Sequence, residues 1–129
     1  MRIGVLVCGA NGERGMLLEN AISEFARDYM DKVIQMSACT AAVSPLLIQM
    51  SGVDPSKLIS VNGCRNKCCD MILAKSGANP KVSIVADDVI ERELGKCQST
   101  SSFVFPELTE EDAKEFAHAL GKAVDELRS

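Results

Sequence analysis

The sequence predicts an α/β domain, a small doubly wound three-layer fold with a mostly parallel sheet of four to five strands. Three observations predict it. Short β-branched apolar runs alternate with longer segments whose apolar residues recur at three and four positions, and the connections between them are short. In addition, 47% of the 129 residues are hydrophobic, enough for one core without external staples. Alternating strands and helices imply right-handed crossovers, hence a parallel sheet covered on both faces. The expected order puts strand two outside strand one, with ligands bound at the switch point between strands one and three. No repeat, low-complexity segment or linker divides the chain, which reads as a single domain over residues 1–129.

Each element has a local cause. Arg2 to Val7 is a buried strand meeting a turn at Cys8-Gly9. From Met16 to Met30 the residues Leu18, Ala21, Ile22, Phe25 and Tyr29 form one helical stripe facing a sheet. Lys32 to Met36 is a second strand ending near Cys39, after which Ser44 caps a short helix, with Pro45 in its first position and Gly52 as its stop. Leu58 to Val61 is the third strand; the turn Asn62-Gly63 follows, then a helix carrying Met71, Ile72 and Leu73 up to Gly77. Val82 to Val85 is the fourth strand, Asp87 to Ser102 reads as part helix and part loop, and Phe103 to Pro106 as a short edge strand. Thr109 and Asp112 open a C-terminal helix in capping-box fashion, with Ala113, Phe116, Ala117, Leu120 and Val124 as its inward stripe.

Bulk properties exclude several functions. A net charge of −4, from 14 basic and 18 acidic residues, offers nothing to the phosphates of nucleic acid or to an anionic membrane surface. No run approaches the roughly 20 apolar residues of a membrane-spanning helix. The run Ile3 to Val7 is too short for a signal peptide, so the expectation is a soluble, cytoplasmic protein. Six cysteines in such a chain then need a reason other than disulfides, because cytosolic thiols stay reduced.

Their placement supplies one. Cys8 ends strand one, Cys39 follows strand two, and Cys64 and Cys68 follow strand three, so four thiols distant in sequence converge on the carboxyl edge of the sheet. Cys64 and Cys68, placed together on the first turn of a helix, would share a face and reach one ion, and a helix N-terminus favours thiolates. Zinc suits four such soft ligands, and an iron–sulfur cluster accepts them too. Cys69 points about one hundred degrees around the helix from Cys68 and reads as a packed small side chain. Cys97 is open to a role as a fifth thiol or resolving partner.

The segment Asn62-Gly63-Cys64-Arg65-Asn66-Lys67-Cys68, followed by a helix, Gly77, Pro80 and a strand, resembles the signature of the DGC-domain family, whose members are taken as zinc-binding proteins. The turn Cys8-Gly9-Ala10 and the lone Cys39 are similar to that family's cysteines after strands one and two. The resemblance spans about residues 3–88 and implies a small α/β domain with Cys8, Cys39, Cys64 and Cys68 as metal ligands. Two positions depart from the pattern: Asn62 stands in place of the motif's aspartate, and Arg65 in place of the proline after its cysteine. Neither removes a thiol.

A rival reading is enzymatic. Cys8, five residues and Arg14 form the spacing of low-molecular-weight phosphatases and thiol arsenate reductases, in which loop amides and the arginine cradle an oxyanion beside a nucleophilic thiolate. Gly9, Gly12 and Gly15 permit such a loop. Against it, Gly15 replaces the usual hydroxyl residue. The candidate acid Asp54-Pro55 lies in a helix-to-strand connection at the opposite sheet edge, and Asp87 and Asp88 lack the expected proline. Otherwise Arg14 is a surface residue at the helix start. A thiol redox switch is a third reading. A nucleotide site has little support, since the glycines fall at every third position and no acid ends strand two. His118 reads as a structural or surface residue, and Met30, Met36 and Met50 as core filling rather than a copper site.

Overall fold

A computed structural model describes residues 2–8, 12–39, 46–91, 94 and 108–128. Four strands, β1 (Arg2–Val7), β2 (Val33–Ser37), β3 (Val53–Asn62) and β4 (Val82–Val85), form a sheet in the order β2-β1-β3-β4. Every pairing is parallel. The helices are α1 (Gly12–Tyr29), α2 (Leu46–Met50), α3 (Cys68–Lys75), α4 (Ala86–Val89) and α5 (Glu110–Arg128). Strand two lies outside strand one, as the sequence implies.

Alternation along the two central strands sorts the core into two layers. Ile3 and Val5 of β1, with Ile59 and Val61 of β3, pack against Leu17, Leu18, Ala21, Ile22 and Phe25 of α1 and against Phe116, Leu120 and Val124 of α5. Leu6, Val53 and Leu58 face the other way, onto Ile48 of α2 and Cys69 and Leu73 of α3. The C-terminal helix opens as its capping box requires: Asp112 N–H donates to Thr109 Oγ1 at 3.3 Å and Thr109 N–H to Asp112 Oδ2 at 3.2 Å.

Several boundaries differ from expectation. Helix α1 starts four residues before Met16, because Gly12 adopts φ +69° and turns the chain into the helix early. Strand β3 starts at Val53, so Asp54 and Pro55 lie within the strand rather than in a connection. The register breaks there: Arg2 pairs with Val53 and Gly4 with Leu58, leaving Pro55, which has no N–H to donate, outside the regular ladder. Met30 and Met50 are not core residues. They are 71% and 72% exposed, since Met30 lies in the turn beyond α1 and Met50 ends the short α2, which buries Ile48. Met36 does pack against the second layer. The proposed Ser44-Pro45 cap, Cys97 and the Phe103 to Pro106 strand lie outside the described residues.

Gly4 marks the tightest point between β1 and β3. A Cβ there would stand 2.7 Å from Val53 Cγ1 and 2.9 Å from Leu58 Cδ2, both on fully buried side chains that have nowhere to move. Gly4→Ala is expected to lower the unfolding free energy by about 1–3 kcal/mol, the range for an overpacked core, measured by urea titration.

Candidate thiol and metal site

Because the described strands all pair in parallel, the segments after β1, β2 and β3 leave from one edge and carry Cys8, Cys39 and Cys64 with them. Cys8 and Cys64 are partly buried; Cys39 and Cys68 are exposed. The closest link crosses the switch point: Gly63 N–H donates to Cys8 Sγ at 3.1 Å, and Cys8 N–H donates to the Val61 carbonyl at 3.0 Å. Cys8 thus sits on the loop that presents Cys64. A cavity of ≈ 350 Å³, lined in part by Val7, Leu18, Ile22 and Gln35, opens beside Cys8.

Cys64 and Cys68 do not share a helical turn. Lys67 has left-handed backbone angles, φ 53° and ψ 48°, so the helix begins only at Cys68 and Cys64 occupies the preceding turn, closed by Lys67 N–H to the Cys64 carbonyl at 3.1 Å. Among the described residues no three or more His, Cys, Asp or Glu side chains are grouped to hold a metal ion. The donor chemistry nevertheless fits a thiophilic ion, since four thiols leave one sheet edge. Two of them, Cys39 and Cys68, have exposed side chains.

Cys69 behaves as the sequence indicates. It is fully buried, and its thiol donates to the Leu6 carbonyl at 3.2 Å. Burial pushes it up to about 12; a hydrogen bond with the Val61 backbone opposes the rise, and Cys8, Asp70 and Cys68 add to it.

Two polar assemblies beside the thiols escaped the sequence reading. Arg14 is not a surface residue: it is 9% exposed, and its guanidinium reaches across the edge to the Gly63 carbonyl at 2.7 Å, Asp87 Oδ2 at 2.8 Å and the Leu94 carbonyl at 3.4 Å. The second assembly lies under α3. Asp70 accepts hydrogen bonds from Ser60 Oγ, from Ser83 Oγ at 2.6 Å and from Asn62 Nδ2 at 3.4 Å, while its own N–H donates to Asn62 Oδ1 at 3.4 Å. Burial would raise the Asp70 carboxyl, but the bonds from Ser60, Ser83 and Asn62, with the charge of Lys67, outweigh burial and lower it. Ser60 and Asn62, two apart in the otherwise apolar stretch Leu58–Asn62, were the available signal for this network. His118 is exposed on α5.

Fold and site together define a small doubly wound α/β domain with its thiols at the carboxyl edge. The sequence model of the DGC domain matches residues 4–120, and the chain belongs to that family. The match runs through most of α5, well past the segment that carries the motif. No curated protein and no solved structure matches the chain. No helix among the described residues is long and apolar enough to cross a membrane.

The Cys69 thiol carries a pH consequence. Raised from 9.0 to about 12, it keeps in the folded state a proton that the unfolded chain gives up above pH 9. Its contribution to stability is therefore complete below pH 9 and is lost as pH rises from 9 to 12. In native protein at pH 8, site-resolved iodoacetamide labelling is expected to leave Cys69 unmodified while the exposed Cys39 and Cys68 react. Labelling of Cys69 at the same rate as theirs would contradict its burial as a neutral thiol.

Proposed function

We propose that the chain is a zinc-binding domain whose ligands are the thiolates of Cys8, Cys39, Cys64 and Cys68. The observation that carries this reading is the contact between Cys8 Sγ and Gly63 N–H, which joins the loop after β1 to the loop bearing Cys64 at the switch point of the sheet. Ligands from three separate loops would tie the edge together, and zinc there would supply either a structural tie or, with one position left open, a Lewis acid. A backbone N–H directed at a ligand sulfur is the outer-shell support that thiolate sites use, since it offsets part of the negative charge of the ligand set. An iron–sulfur cluster needs the same donors and differs in its spectrum.

The oxyanion-enzyme reading depends on an arginine directed toward the nucleophilic sulfur. Arg14 is instead paired with Asp87 and bonded to two carbonyls.

Anaerobically purified protein is expected to carry zinc near one per chain by elemental analysis. Each of Cys8→Ser, Cys39→Ser, Cys64→Ser and Cys68→Ser should weaken binding by at least about tenfold, while Cys69→Ala should keep the stoichiometry. Visible charge-transfer bands with bound iron would move the site to a cluster. Folded protein that takes up neither metal would refute the reading.

A further inference from the structure

The two ends of residue Gly63 do different work. Its N–H faces the Cys8 sulfur at 3.1 Å, and its carbonyl receives Arg14 Nη1 at 2.7 Å. The same Nη1 lies 2.8 Å from Asp87 Oδ2, and Nη2 lies 3.4 Å from the Leu94 carbonyl. Arg14 belongs to α1, Gly63 to the turn after β3, and Asp87 and Leu94 to the segment after β4. One buried cation therefore gathers α1, the turn after β3 and the segment after β4 around the residue that touches the thiol.

We propose that Arg14 is a positioning residue for the thiol site. It fixes Gly63 so that the N–H stays on Cys8, and it makes the segment after β4 a control on that contact. The physical basis is directional. Glycine at position 63 has no side chain to hold its peptides in one orientation, so an unrestrained turn there would let the N–H swing toward solvent. The N–H on Cys8 anchors the peptide before Gly63 and the charged donor anchors the peptide after it, so with Arg14 in place the two soft dihedrals of Gly63 lose their freedom; charge-assisted bonds of this length are the stronger kind. Asp87, with its side chain 19% exposed, compensates the buried cation and keeps it in place. Any binding event or modification that draws Asp87 away would loosen Arg14, then Gly63, then Cys8. This deepens the thiol-site reading and rests on it only where metal affinity is measured.

Hydrogen exchange at the Gly63 amide in metal-free protein tests the coupling, and Co²⁺ titration follows its effect on the site. Leu120→Ala, a truncation of a fully buried α5 side chain that makes none of the Arg14 contacts, is the control for a general loss of stability. Arg14→Met is expected to speed Gly63 exchange at least tenfold beyond Leu120→Ala, and to weaken Co²⁺ binding about tenfold more. Asp87→Asn, which leaves Arg14 in place, should speed Gly63 exchange by a smaller factor. If Arg14→Met does not fold, the Asp87→Asn result decides: faster exchange supports the coupling, unchanged exchange overturns it. Gly63 exchange in Arg14→Met no faster than in Leu120→Ala would equally overturn it. Failure of wild-type protein to bind Co²⁺ would overturn the metal reading instead, and the exchange comparison would still decide the role of Arg14.

Discussion

A guanidinium carried into the carboxyl edge of a parallel sheet must be compensated, and among the described residues Arg14 bonds one carboxylate and two backbone carbonyls. Its position has consequences for everything at that edge. Parallel strands leave their loops side by side but do not bond them to each other, because the ladder hydrogen bonds end with the strands. Arg14 supplies the missing cross-links between the first turn of α1, the turn after β3 and the segment after β4. The Cys8 contact with Gly63 is set within that frame, so the thiol edge depends on a residue with no thiol of its own.

Beneath the same edge, the sheet departs from uniform apolar packing. Ser60 and Asn62 are both fully buried on the α3 side of β3, and no described buried side-chain N or O atom lacks a hydrogen-bond partner. Asp70 is the reason. Its carboxylate takes bonds from strands β3 and β4 at once, so α3 is pinned to the sheet by polar geometry as well as by Leu73 and Cys69. A second carboxylate at position 62 would face Asp70 as a like charge, whereas the amide donates to the Asp70 side chain and accepts from its N–H.

The strands, their order, α1 and the capping box of α5 were legible because each rests on local periodicity or on a short-range pattern: Ile3, Val5 and Leu6 in one run, Phe116, Leu120 and Val124 on one stripe, Thr109 with Asp112. The burial of Cys69 followed from helix geometry in the same way. What was not legible depended on partners distant in sequence. Arg14 looks like a surface residue until Asp87, 73 positions away, is brought beside it. Met30 and Met50 looked like core because their chemistry is apolar, but a turn and the end of a five-residue helix give them no layer to enter. Cys64 and Cys68 seemed to share a turn because spacing alone cannot register a left-handed residue between them; Lys67, with neither glycine's freedom nor asparagine's tendency, gives no warning.

The place of Arg14 also separates two kinds of cysteine chemistry that share a spacing. An oxyanion-binding loop needs its arginine and several backbone N–H groups aimed at one empty volume above the sulfur, so that negative charge entering there is neutralised. Here the guanidinium approaches a carbonyl on the far side of the Gly63 residue and carries a carboxylate with it, so an anion at Cys8 would gain little from it and would meet the field of Asp87 as well. On the zinc-binding proposal, a cation at Cys8 would meet that sulfur, an N–H that tempers its charge, and an arginine paired with its own carboxylate. The proposal of a bound metal ion at this edge therefore leans on Arg14 and Gly63, which link the segments that carry Cys8 and Cys64.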